Sequence, residues 1–143
     1  MILSESKKVN RMQKRKCDLI KKVEGLYFDA GFRKFAILTK NHIIEEGTEC
    51  WGTTDFDQGT IYLRASADHD TARETLIHEI THVILAVVGF GGYDREEMGD
   101  EFPDGYLSPT NNEHMTLCVS RGFMAAFNLN RELFKILISE EEE

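Results

Sequence analysis

The chain has 143 residues, 41% hydrophobic and 29% charged, enough for one domain with a real core and too few for two. Lys and Arg total 17 against 25 Asp and Glu, and the resulting net charge of −8 argues against a surface given over to gripping nucleic acid. Cys17, Cys50 and Cys118 are widely spaced with no CxxC pair, so neither a disulfide framework nor a thiolate zinc site is expected, and a reducing cytoplasm suits them.

Residues 1–10 carry no apolar run of the secretory kind, and no stretch reaches the roughly 18 apolar residues that span a membrane. Residues 10–30 read as a helix, with Met12, Leu19, Ile20, Val23, Leu26 and Tyr27 at helical intervals and Gly31 as its stop. Lys14, Arg15, Lys16, Lys21 and Lys22 would line its solvated face, with docking onto a nucleic acid or an acidic protein as the less favoured reading. Residues 35–39 form a short apolar strand expected to be covered on both faces. A second strand at 42–45 is broken by Gly47, with His42 at its surface end. Residues 50–55 and 60–64 flank a turn containing Asp57 and Gly59 and read as a hairpin, with Trp51 packing on the sheet. Successive strands without intervening helices imply a small antiparallel sheet of three or four strands.

After the polar stretch 66–70, Asp70, or Thr71 together with Glu74, caps a helix that runs to about Val88 and stops at Gly89. Its second half is apolar almost all round, as a buried central helix is. Residues 90–110 show no periodic pattern, and a loop of that length in a compact domain is usually functional or mobile. Asn111 or Asn112 then caps a helix through Phe127, whose Glu113, Leu117, Ser120, Met124 and Phe127 form one stripe expected to face the core. A break at 128–130 precedes a terminal helix over 132–138. The class is α+β in a single domain: an N-terminal helix, a small sheet, a central helix and further C-terminal helices.

The central helix carries the pattern HExxH as His78-Glu79-Ile80-Thr81-His82. Residues four apart project from one face about a turn apart, so two imidazoles converge with a carboxylate beside them. That set binds Zn²⁺ through His78 and His82 and offers Glu79 as a general base. Catalytic zinc normally has three protein ligands, and the pattern supplies two. Glu113 heads the core-facing stripe, where a carboxylate needs a partner that a metal would provide. No third His follows six residues after His82, since position 88 is Val88, which speaks against a metzincin.

The order of a short sheet ending in the WGTTD and GTIYL hairpin, a TLIHEITH helix, a variable loop and a helix opening with an acid resembles the minimal gluzincins. These include ImmA/IrrE-like and SprT-like domains and small metallopeptidase-like proteins of bacteriophages; the resemblance spans residues 35–127. It implies a zincin-like fold, zinc on His78 and His82, Glu79 as general base and a third ligand at Glu113, or at the adjacent His114 as in SprT-like members. It further implies hydrolysis of a protein or peptide substrate: zinc would polarise the carbonyl and acidify a water, and Glu79 would take the proton. Tyr93, Tyr106 and His69 are unranked candidates to hold the oxyanion, and the strand 60–64 is the expected edge for an extended substrate. Two other readings are a zinc-binding scaffold that cleaves nothing and a DNA-associated peptidase; an intact Glu79 weighs against the first and the charge of −8 against the second.

Overall fold

The computed structural model describes residues 16–89 and 113–140. The basic run before Lys16, the patternless stretch 90–110 with its acids, Tyr93 and Tyr106, the Asn111 and Asn112 caps and residues 141–143 of the acidic tail lie outside the described residues. Helix α1 spans Asp18–Val23, followed by strands β1 (Tyr27–Asp29), β2 (Lys34–Lys40), β3 (Ile44–Glu45), β4 (Thr48–Glu49), β5 (Gly52–Asp55) and β6 (Thr60–Arg64). Helices α2 (His69–Val87), α3 (Glu113–Leu129) and α4 (Arg131–Ile138) complete the order. No helix among the described residues is long and apolar enough to cross a membrane.

The first helix is shorter than its periodicity suggests, because residues 27–29 leave it for the sheet. Gly25 takes φ +85°, where a side chain would be strained, and turns the chain. Its N–H donates to Ile37 O at 2.8 Å, and Ile37 N–H donates to Leu26 O at 2.9 Å. The aromatic pair Tyr27-Phe28 then favours a strand, and Phe28 pairs with Phe35. Leu19, Ile20 and Val23 keep the buried face expected of them.

Four strands form one sheet in the order β1-β2-β6-β5. The outer pairings are antiparallel as expected, but the central one, β2 with β6, is parallel. A parallel return needs a crossover of about a dozen residues or more, and residues 41–59, holding the β3–β4 hairpin and β5, provide one without a helix. The β3–β4 hairpin turns on Glu46 (φ 50°) and Gly47 (φ +79°), the paired positive φ values of a tight two-residue loop. The predicted β5–β6 hairpin is present, with Asp55 opposite Thr60.

Only one face of β2 is covered: Phe35 and Ile37 are buried, whereas Leu38 is exposed on the other side. The core lies between the inner sheet face (Phe28, Phe35, Ile37, Ile61, Leu63) and the helices, with Leu76, Ile80, Val83 and Ile84 of α2 at its centre.

Helix α3 turns the opposite way from expectation. The stripe of Glu113, Leu117, Ser120, Met124 and Phe127 is exposed, Met124 to 64%, while Met115 and Ala126 are buried. Close approach decides this, because a Cβ on Gly122 would sit 2.8 Å from Ile84 Cγ2 and 2.9 Å from Val88 Cγ1. The small residues let the two helices meet, and the larger apolar side chains are left on the outside. Asn130 lies at the break before α4, its buried amide taken up by the β1 strand.

Candidate metal centre

The cap of helix α2 is neither of the two expected, lying two residues before Asp70 and three before Thr71. Asp68 is the N-cap, its carboxylate accepting the Thr71 N–H at 2.8 Å, while Asp70 instead pairs with Arg73 at 3.0 Å. That N–H, with the Thr71 hydroxyl, holds the Asp68 carboxyl below its ordinary range. The helix ends at Val87, with Gly89 at φ +90° as the expected stop.

On this helix His78, Glu79 and His82 come together, their ligand-capable atoms all within 4.8 Å of one another. The two Nε2 atoms are 3.1 Å apart and the rings are steeply inclined, at 80°. Two nitrogens bound tetrahedrally at zinc–nitrogen distances of about 2.0–2.1 Å would lie about 3.3 Å apart, so the pair has close to the bite a single zinc ion requires. Both histidines are solvent-exposed, whereas Glu79 is only 6% exposed. Its Oε2 accepts a hydrogen bond from the Thr54 hydroxyl at 2.8 Å. Imidazole nitrogens with a neighbouring carboxylate suit zinc better than a hard, oxygen-seeking cation such as Ca²⁺.

The group opens into a cleft of about 660 Å³ between β5 and α2. Gly52, Thr53 and Thr54 form one wall and Thr71, Glu74, Thr75 and His78 the other, with Trp51 and Phe56 at the margins. The described lining includes Glu45, Glu74 and Glu79 and no Lys or Arg, so its charge favours a cation. Trp51 is not simply packed on the sheet: it is 45% exposed, lines the cleft and carries the Arg64 guanidinium 4.6 Å from its ring centre. His42 is a surface residue, as expected, and pairs with Glu49 at 2.8 Å.

The strand expected to offer a free edge, β6, is hydrogen-bonded on both sides, to β2 and to β5. The edge belongs to β5. His69, one of the oxyanion candidates, is buried in the first turn of α2 and does not line the cleft; its two ring nitrogens have no hydrogen-bond partner among the described residues. Glu113 and His114 open α3, both exposed, and neither belongs to the metal-capable group or lines the cleft. His114 Nε2 lies 3.7 Å from Cys118 Sγ.

Gly52 and Thr54 are the residues that the motif reading overlooked. The hairpin register places them opposite Leu63 and Ile61, hence on the face that α2 covers. Alternation along WGTTD was the available signal, since Ile61 and Leu63 were recognisable as inward-facing. Comparison with protein-family models, curated proteins and solved structures yields no match. The site therefore defines a His-Glu-x-x-His metal-binding cluster on a helix, consistent with a gluzincin-like zinc motif, and assigns no specific family.

Proposed function

We propose that the protein is a zinc-dependent peptidase acting on an extended segment of a protein or peptide. The observation that carries this reading is the convergence of the His78 and His82 Nε2 atoms, 3.1 Å apart, beside a buried Glu79 in a cleft along the free β5 edge. When bound, zinc supplies Lewis acidity at the convergence point and lowers the pKa of water there. His78 and His82 would hold the metal through their converging Nε2 atoms. Glu79 accepts the proton of the attacking water and returns it to the leaving amine. The substrate backbone adds to β5 as a further strand, which holds the scissile bond against the helix face.

We assign the third ligand to Glu113 on the likeness of the helix order to gluzincins alone. The packing argument for it is gone, because its stripe faces outward. A buried carboxylate next to a histidine pair favours an enzyme over a scaffold, since a purely structural site has no use for a base.

The test is reconstitution. Metal-stripped protein should bind one zinc per chain and gain cleavage of a denatured-protein panel on zinc addition, both lost in His78→Ala and His82→Ala. Full zinc uptake by either variant would refute the assignment of the site.

A further inference from the structure

We propose that Thr54 is a positioning residue that ties substrate pairing on β5 to the orientation of Glu79; this rests on the peptidase reading above. Arg64 N–H donates to Trp51 O at 2.8 Å, so Trp51 directs its backbone groups towards β6. In an antiparallel ladder that direction alternates, which turns Thr53 and Asp55 inward with it and leaves the backbone groups of Gly52 and Thr54 for the free edge. Consistent with this, the Cys50 N–H points away from β6 and donates to Ile43 O at 2.7 Å, so the edge opens after Cys50.

Thr54 thus faces two ways. Its peptide N–H and C=O are available to an added strand, and its hydroxyl donates to Glu79 Oε2 at 2.8 Å. No described hydrogen bond engages Glu79 Oε1, which is the oxygen left to receive a proton. The stem of Glu79 is buried beside the same strand, where a Cβ on Gly52 would make an ordinary contact of 3.4 Å with Glu79 Cγ. A carboxylate with its stem packed and one oxygen anchored has few rotamers to explore, which is the preorganisation a general base requires. A substrate strand that straightens β5 fixes the Thr54 backbone and, through its hydroxyl, the base.

Thr54→Val removes the hydroxyl at nearly constant shape, and Thr54→Ser restores it. The valine variant should keep its zinc, hold KM within about twofold and lose about tenfold or more in kcat, whereas the serine variant should recover to within about threefold of wild type. Equal activity of the valine variant and wild type, or an equal loss in both variants, would overturn the proposal. A second readout requires no cleavage: carbon–carbon couplings along the Glu79 side chain in metal-free protein should report one rotamer in wild type and Thr54→Ser and averaging in Thr54→Val. An unaveraged Glu79 in Thr54→Val overturns the positioning role. A fixed Glu79 that loosens only in Thr54→Val, in a protein that cleaves nothing, would support it while removing the peptidase reading.

Discussion

At Gly52 the sheet packs tightly on α2, and Gly52→Ala measures how much the site depends on that approach. The added Cβ would overlap Thr75 Cγ2 and lie 3.1 Å from Tyr62 O, inside the roughly 3.5 Å that carbon contacts need. Gly52 is not among the glycines with positive φ, so alanine meets no backbone penalty and the effect isolates the crowding. Overpacking of this kind costs about 1–3 kcal/mol. Removing a glycine from a strand returns about 0.5–1 kcal/mol, which leaves a net loss of about 1–1.5 kcal/mol at mid-range and at most about 2.5 kcal/mol. For a chain of this size that is a fall of about 3–8 °C in melting temperature, readable by calorimetry alongside a urea midpoint with unchanged m-value. Thr75→Ser removes the offending methyl, so the double variant Gly52→Ala/Thr75→Ser should regain most of the loss. A Gly52→Ala protein as stable as wild type, or a loss untouched by Thr75→Ser, would refute the reasoning.

Three further outcomes concern other parts of the fold. The Asn130 amide accepts the Asp29 N–H at 2.7 Å and donates to Asp29 O and Ala126 O at 2.8 and 2.9 Å, so Asn130→Ala should lose about 2–4 kcal/mol in chemical denaturation. Burial would raise the Glu24 carboxyl, but the Thr39 hydroxyl, the Lys16 ammonium hydrogen bond and the Lys16 charge together hold it below its ordinary 4.5. A depressed carboxyl contributes stability above its unfolded pKa and loses it as pH falls through the folded value, so Glu24→Gln should flatten the decline in melting temperature below about pH 4.5. If the third ligand is Glu113, Glu113→Ala should weaken zinc affinity at least tenfold while His114→Ala does not; the reverse pattern moves the ligand to His114.

The pairing of the two histidines is legible in the sequence for a physical reason. The spacing of His78 and His82 is fixed by the helix repeat, so once α2 is helical their convergence follows without knowledge of the rest of the fold. The β5–β6 hairpin was equally local, its register set by the four residues between Asp55 and Thr60. What was not legible depended on distant partners. Residues 27–29 fit a helical pattern and a strand alike, and only pairing with β2 decides between them. The parallel union of β2 and β6 joins segments separated by a complete hairpin and another strand. The sequence of α3 points the wrong face inward because hydrophobic size alone does not mark its buried face. The contact with α2 instead selects Gly122 and Ala126, which allow close approach, and leaves Leu117, Met124 and Phe127 exposed. The same error gave Glu113 an inward stripe that the fold does not provide.

The central claim is that Glu79 is a base beside a zinc held by His78 and His82. Glu79→Gln keeps the shape of the side chain and removes only its capacity to take a proton. Zinc content by mass spectrometry and cleavage of a protein panel, measured together on wild type and Glu79→Gln, test the claim most directly. The account predicts one zinc per chain in both and cleavage in wild type alone. Equal cleavage by Glu79→Gln, or zinc-loaded wild type that cleaves nothing, would contradict it.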